Sequence, residues 1–66
     1  MKVTVNGRER ELPEGTTVAE VVASVTAATT GVAVAVNGEV VSRGQWADTA
    51  VRDRDRVEVL TAVQGG

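Results

Sequence analysis

The sequence predicts an α+β fold in which a mixed sheet of four to five strands packs on one helix. Three observations support this prediction. Two Asn-Gly dipeptides lie between β-forming residues, a valine-rich segment has helical spacing, and a late segment alternates charged and apolar residues. Together these patterns predict the order hairpin, helix, hairpin, strand.

The two Asn-Gly dipeptides, Asn6-Gly7 and Asn37-Gly38, predict two tight hairpins. Both central residues of a type I′ turn need positive φ, which Asn and Gly adopt more readily than other residues. The expected pairings are Met1–Val5 with Arg8–Leu12, and Val32–Val36 with Glu39–Val41.

One helix is predicted between the hairpins. Thr17 followed by Glu20 is typical of a capping box, in which each side chain accepts a hydrogen bond from a backbone amide of the other residue. The apolar stripe then consists of Val18, Val21, Val22 and Val25. Valine is a mediocre helix former, so this helix must pack on the sheet to be stable. Turn residues precede it at Pro13-Glu14-Gly15, and a stop follows at Thr29-Thr30-Gly31.

The last strand is predicted at Arg56–Thr61. The simplest topology that buries one helix stripe against one sheet is the β-grasp, with the last strand central and parallel to the first. A two-residue first turn would place Arg8 and Arg10 opposite Val5 and Val3, on the face of the valines. Either these arginines extend past an edge strand, or the loop is longer.

The composition excludes several classes of function. The chain has 66 residues, which is one small domain, and Trp46 is its only aromatic residue. Without cysteine or histidine we expect no disulfide and no resident metal or cofactor, and there is no catalytic triad, thiolate nucleophile or imidazole base. The net charge of −2 argues against a nucleic-acid partner. With no long apolar run and no signal-peptide character, we expect a cytoplasmic monomer without a membrane partner.

The charged segment 52–56 alternates arginine and aspartate. This pattern is more typical of a solvated, self-compensated loop than of a phosphate or cation site. Neither a GxGxxG motif nor a P-loop is present. The sequence therefore favours a protein that is not itself an enzyme.

The tail Val63-Gln64-Gly65-Gly66 follows the last predicted strand directly. One interpretation is a frayed terminus. The functional interpretation is that the Gly66 carboxylate is the working group, activated as a mixed anhydride such as an acyl-adenylate. Because glycine has no Cβ, a Gly-Gly tail can pass through a narrow channel. We expect a β-grasp domain over residues 1–62 and a flexible tail over residues 63–66.

Motifs along nearly the whole chain resemble the ThiS family, the sulfur carriers of thiamine biosynthesis in the ubiquitin-like β-grasp superfamily. They are Val3–Val5 with Asn6-Gly7, Gly15–Val18, Val32–Val41, Arg43 with Trp46, Asp53–Val59, and Gln64-Gly65-Gly66. Two positions differ from the usual family pattern. Ser42 stands where proline is common, and Arg54 stands where glycine is usual, so Arg54 would be mildly strained if that position has positive φ.

The resemblance implies a cycle carried out by partner enzymes. An E1-like adenylyltransferase would use ATP and magnesium to form the Gly66 acyl-adenylate. Sulfur from cysteine, delivered through a cysteine desulfurase, would displace AMP and leave a thiocarboxylate. Thiazole synthase would then take that sulfur into the thiazole ring.

A docking surface beside the tail is predicted from strand alternation. If the valines of the last three strands face the helix, several apolar side chains emerge on the opposite face. The predicted partner-binding residues are Ala33, Ala35, Val40, Leu60 and Val63, with Gln64 and Gly65 in the tail. Scattered surface apolar residues are the alternative explanation. Trp46 is expected to cover the core rather than to bind a partner.

Three other functions remain open from the sequence. The chain can be a sulfur carrier for molybdopterin or for tRNA thiolation, with the same chemistry. It can be a protein modifier joined to lysines, although Lys2 is its only lysine. It can also be a plain β-grasp binding module, for which the tail would be dispensable.

Overall fold

The computed structural model describes residues 1–62, and within them the predicted element order is confirmed. The strands are β1 (Lys2–Val5), β2 (Arg8–Glu11), β3 (Val32–Val36), β4 (Glu39–Val41) and β5 (Arg56–Thr61). The α-helix α1 spans Val18–Val25, and a 3₁₀ helix spans Arg43–Asp48. The second hairpin and the last strand have the predicted bounds, and the first hairpin is one residue shorter at each outer end.

The sheet has the order β2-β1-β5-β3-β4. β5 is central, runs parallel to β1, and pairs antiparallel with β3 along most of its length. Both outer pairs are antiparallel hairpins. The β-grasp prediction, with a central last strand parallel to the first, is therefore confirmed.

The first turn has two residues, and both have positive φ, +49° at Asn6 and +82° at Gly7. The register places Val5 opposite Arg8 and Val3 opposite Arg10, as the short turn requires. β2 lies at the edge of the sheet, where Arg8 is exposed and Arg10 extends to donate to Ser24 Oγ of α1 at 3.2 Å. The arginines thus extend past an edge strand, and no longer loop is needed.

The helix begins where the capping box predicted. Thr17 Oγ1 accepts from Glu20 N at 3.2 Å, and Glu20 Oε1 accepts from Thr17 N at 2.9 Å. The helix ends at Val25, because Thr26 adopts an extended backbone several residues before the predicted stop. Among residues 1–62, no helix combines the length and apolar character needed to cross a bilayer.

The core lies between α1 and one face of the sheet and is built almost entirely of valine. Its buried members are Val3, Val5, Val18, Val21, Val22, Val34, Trp46, Val51, Val57 and Val59. Each fully buried valine contributes roughly 1.5–3 kcal/mol. A core of small β-branched residues can therefore support this domain only because the three inner strands, β1, β5 and β3, and the helix all contribute to it.

The 3₁₀ helix was not predicted from the sequence. It covers one end of the core with Trp46, whose side chain is buried and whose Nε1 donates to Val41 O at 2.9 Å. The Arg43 guanidinium carbon lies 5.6 Å from the centroid of the Trp46 ring, in cation–π range. The expectation that Trp46 covers the core is confirmed.

Candidate functional site

Four apolar side chains lie together on the sheet face opposite α1, and we call them the exposed patch. They are Ala33, Ala35, Val40 and Leu60. Val40 is 81% exposed and Leu60 is 60% exposed, and no other large apolar side chain among residues 1–62 is exposed. The patch surrounds a shallow depression of about 150 Å³, which Glu58 also lines.

Strand register produces this patch. β3 and β5 place Ala33 directly opposite Leu60, while β3 and β4 place Ala35 opposite Val40. Because alternate residues of a strand point to opposite faces, the intervening valines fill the core. The two alanines are small, so a depression remains between the larger side chains of Val40 and Leu60. This form suits a protruding apolar side chain of a partner.

The other predicted site residues, Val63, Gln64, Gly65 and Gly66, lie outside the described residues. β5 ends at Thr61, so only Ala62 separates this strand from Val63 in the sequence. The same strand therefore carries Leu60 of the exposed patch and precedes the predicted reactive end. The predicted roles of the patch residues and of the tail stay predictions.

The Asn6 side chain holds β5 beyond the end of β1. Direct pairing between these parallel strands ends at Val5 and Val57. Further along, Asn6 Oδ1 accepts from Val59 N at 2.8 Å and Asn6 Nδ2 donates to Val59 O at 3.2 Å. The carboxamide thus takes the place of a further residue of β1 and fixes the strand next to Leu60.

Asn37 holds the opposite end of β5 in a similar way. Its Oδ1 accepts from Arg56 N at 2.9 Å, and its Nδ2 donates to Asp55 Oδ1 at 2.9 Å. Asp55 Oδ2 also accepts from Arg52 N at 2.8 Å. The start of the central strand is therefore fixed by the second hairpin turn.

The aspartates of the charged loop serve structural hydrogen bonds. Besides Asp55, Asp53 Oδ1 accepts from Lys2 N at 2.7 Å, and Asp53 Oδ2 lies 3.7 Å from Arg54 Nε. Over residues 1–62, no group of three or more acidic, histidine or cysteine residues is placed to hold a metal ion. Arg54 has φ of +71°, so it carries the strain expected where glycine is usual.

Sequence reasoning missed two features of this region. It treated Asn6 and Asn37 only as turn formers, although an asparagine side chain can also bond backbone outside its own turn. It also left out Glu58, although alternation along β5 places this residue on the same face as Leu60.

Comparison with known proteins identifies the family. The family model described as "ThiS family" matches residues 3–66 of the chain. The chain belongs to the ThiS family. A crystal structure of the thiamine biosynthesis protein ThiS from Geobacter metallireducens shares the fold, with a TM-score of 0.79 and 36% identity over all of both chains. The family prediction from the sequence motifs is confirmed.

Two curated proteins are also similar over the full chain. The sulfur carrier protein ThiS of Escherichia coli K12 is 30% identical over 66 residues, which is the whole of both proteins. A protein named thiazole synthase from Paramagnetospirillum magneticum is 33% identical over 66 residues. This chain spans 20% of the length of that second relative.

Proposed function

We propose that this ThiS-family chain is a sulfur carrier of thiamine biosynthesis and that the Gly66 carboxylate is its reactive group. Full-length similarity to a relative named as a sulfur carrier supports this proposal. The chain acts as a substrate of partner enzymes and is not an enzyme itself. The single structural observation that supports it best is the exposed patch, which includes Leu60 of β5, the strand that leads to the Gly-Gly sequence.

The proposed chemistry begins with a carboxylate that is a poor acyl donor. An E1-like adenylyltransferase joins it to the α-phosphate of ATP, with release of pyrophosphate, and supplies the magnesium. The terminal sulfur of a persulfide, formed by a cysteine desulfurase, attacks the Gly66 carbonyl carbon. The carbon–sulfur bond forms as the bond to AMP breaks. A second thiol then cleaves the sulfur–sulfur bond, leaving a disulfide and the Gly66 thiocarboxylate.

The persulfide and the thiol that cleaves its sulfur–sulfur bond both belong to partners, since the chain contains no cysteine. What the chain provides is a C-terminal carbonyl without neighbouring side chains and a rigid domain for recognition. Thiazole synthase is the proposed recipient of the sulfur. The similarity to a fifth of a protein named thiazole synthase supports this choice of recipient over molybdopterin or tRNA thiolation enzymes.

The central test is mass spectrometry of the intact protein after incubation with an E1-like adenylyltransferase, ATP, magnesium and a persulfide source. Replacement of one oxygen by sulfur at Gly66 is the expected result. Attachment of Gly66 to substrate lysines without a thiocarboxylate would instead identify a protein modifier. Full activity in vivo after deletion of Gly65-Gly66 would identify a plain binding module.

The exposed patch is proposed as the docking surface for the adenylyltransferase. Leu60→Glu places a charge where the partner would bury an apolar side chain. We therefore expect the KM of the adenylyltransferase for this chain to be at least about tenfold higher. The fold should be unchanged, because Leu60 is 60% exposed.

Ala23→Glu is the matched control for this variant. Ala23 is exposed on α1, on the other side of the molecule from the patch, and the substitution adds the same charge. Its adenylation kinetics should equal those of the unmodified chain. If the kinetics of Leu60→Glu are also equal to those of the unmodified chain, the patch is not the docking surface.

A further inference from the structure

Glu58 is the one charged side chain that lines the depression of the exposed patch. It lies on β5 directly opposite Ala35, which is itself opposite Val40. Leu60 follows two residues later on the same face. A carboxylate therefore occupies one side of an otherwise apolar surface.

The Glu58 carboxylate has no partner among residues 1–62. The ion pairs in that part of the chain join Met1 to Glu11 and Arg54 to Asp53, and no side-chain hydrogen bond there involves Glu58. Glu20 and Asp55, by contrast, accept hydrogen bonds from backbone amides. Stabilisation of the domain accounts for those carboxylates but not for Glu58, which differs from other exposed carboxylates that are unpaired within residues 1–62, such as Glu9, in lining the depression.

A partner that covers the patch must also cover Glu58. An apolar group placed over an ionised carboxylate removes water without replacing its hydrogen bonds, which opposes binding. A second copy of this chain related by a two-fold axis would bring two Glu58 carboxylates together, which is also unfavourable. A lysine or arginine beside the partner's apolar side chain meets both requirements.

We propose that Glu58 determines partner specificity by pairing with a cationic side chain on the docking surface of the adenylyltransferase. This inference rests on the proposed function and adds the chemistry of the partner surface. The patch supplies apolar contact, while Glu58 fixes the orientation and rejects apolar or acidic surfaces. Glu58 is a recognition residue and takes no part in the reaction at Gly66.

The test measures adenylation kinetics for Glu58→Gln and Glu58→Lys at several salt concentrations. We expect KM to rise about tenfold for the glutamine variant and roughly a hundredfold for the lysine variant, with kcat within about twofold of the unmodified chain. The KM of the unmodified chain should rise with salt, and that of Glu58→Gln should change much less.

Glu9→Gln is the matched control. Glu9 is exposed on the edge strand β2, opposite Thr4 of β1. It lies on the same face of the sheet as Glu58 but away from the patch. Its KM and salt dependence should equal those of the unmodified chain. If the Glu58 variants behave like Glu9→Gln while the chain is adenylated normally, the specificity role is overturned and the proposed function stands. If no form of the chain is adenylated, the proposed function is wrong, and this inference, which rests on it, is wrong as well.

Discussion

Replacing Asn6 by glycine removes the side chain that holds β5 beyond the end of β1. Two partly buried hydrogen bonds to Val59, of 2.8 and 3.2 Å, are lost. At about 1 kcal/mol each, their loss lowers the free energy of unfolding by roughly 2 kcal/mol. Alanine loses the same bonds and must also adopt the left-handed backbone, so Asn6→Ala should lower it by roughly 3 kcal/mol. The total for a domain of this length is about 3–10 kcal/mol.

Urea denaturation followed by Trp46 fluorescence measures these changes, since this residue is the only tryptophan and is buried. Asn6→Asp should fall between the unmodified chain and Asn6→Gly, because it keeps the acceptor for Val59 N and loses the donor to Val59 O. Asn37→Gly is the matched control, with the same turn position, a similar φ and exposed hydrogen bonds. It should change the free energy by less than about 1 kcal/mol. An Asn6→Gly variant within about 0.5 kcal/mol of the unmodified chain would refute the assigned role.

Two further stability predictions use the same titration. Thr17→Ala removes the side chain that caps α1 and should cost about 1 kcal/mol, whereas Thr17→Ser should restore most of it; equal loss in both variants would contradict the capping role. Arg54→Gly relieves the strain at φ +71° and should stabilise the domain by about 0.5 kcal/mol, because relief of roughly 1 kcal/mol exceeds the added entropy of the unfolded chain. The exposed ion pair with Asp53 that it loses contributes little, so a lower stability would show that the strain is misjudged.

Most of the fold was predictable because local signals agreed with the global arrangement. Asn-Gly turns fix register, and register fixes the face of every side chain in a hairpin. The Arg8 and Arg10 positions followed directly from this, as did the apolar residues of the exposed patch. The capping box at Thr17 likewise placed the start of α1.

The features that were missed depend on tertiary contacts. The 3₁₀ helix is short and has a single buried residue, Trp46, so it produces no periodic pattern. The helix α1 ends early, at Val25. The threonines and alanines of residues 26–30 are compatible with both helical and extended backbone, so the sequence does not determine this end. The bonds of Asn6 to Val59 join residues far apart in the chain, and only the parallel pairing of β1 with β5 brings them together.

The central position of β5 has a consequence for how the domain is made. The β1–β2 hairpin and the β3–β4 hairpin are joined in the sheet only through β5. Until Arg56–Thr61 has left the ribosome, both hairpins lack their central neighbour, and isolated hairpins are marginal in water. We therefore expect chains interrupted before this strand to stay unfolded and to be cleaved readily by proteases. Only chains whose synthesis has reached β5, the strand that presents Leu60 and Glu58, can then complete the fold.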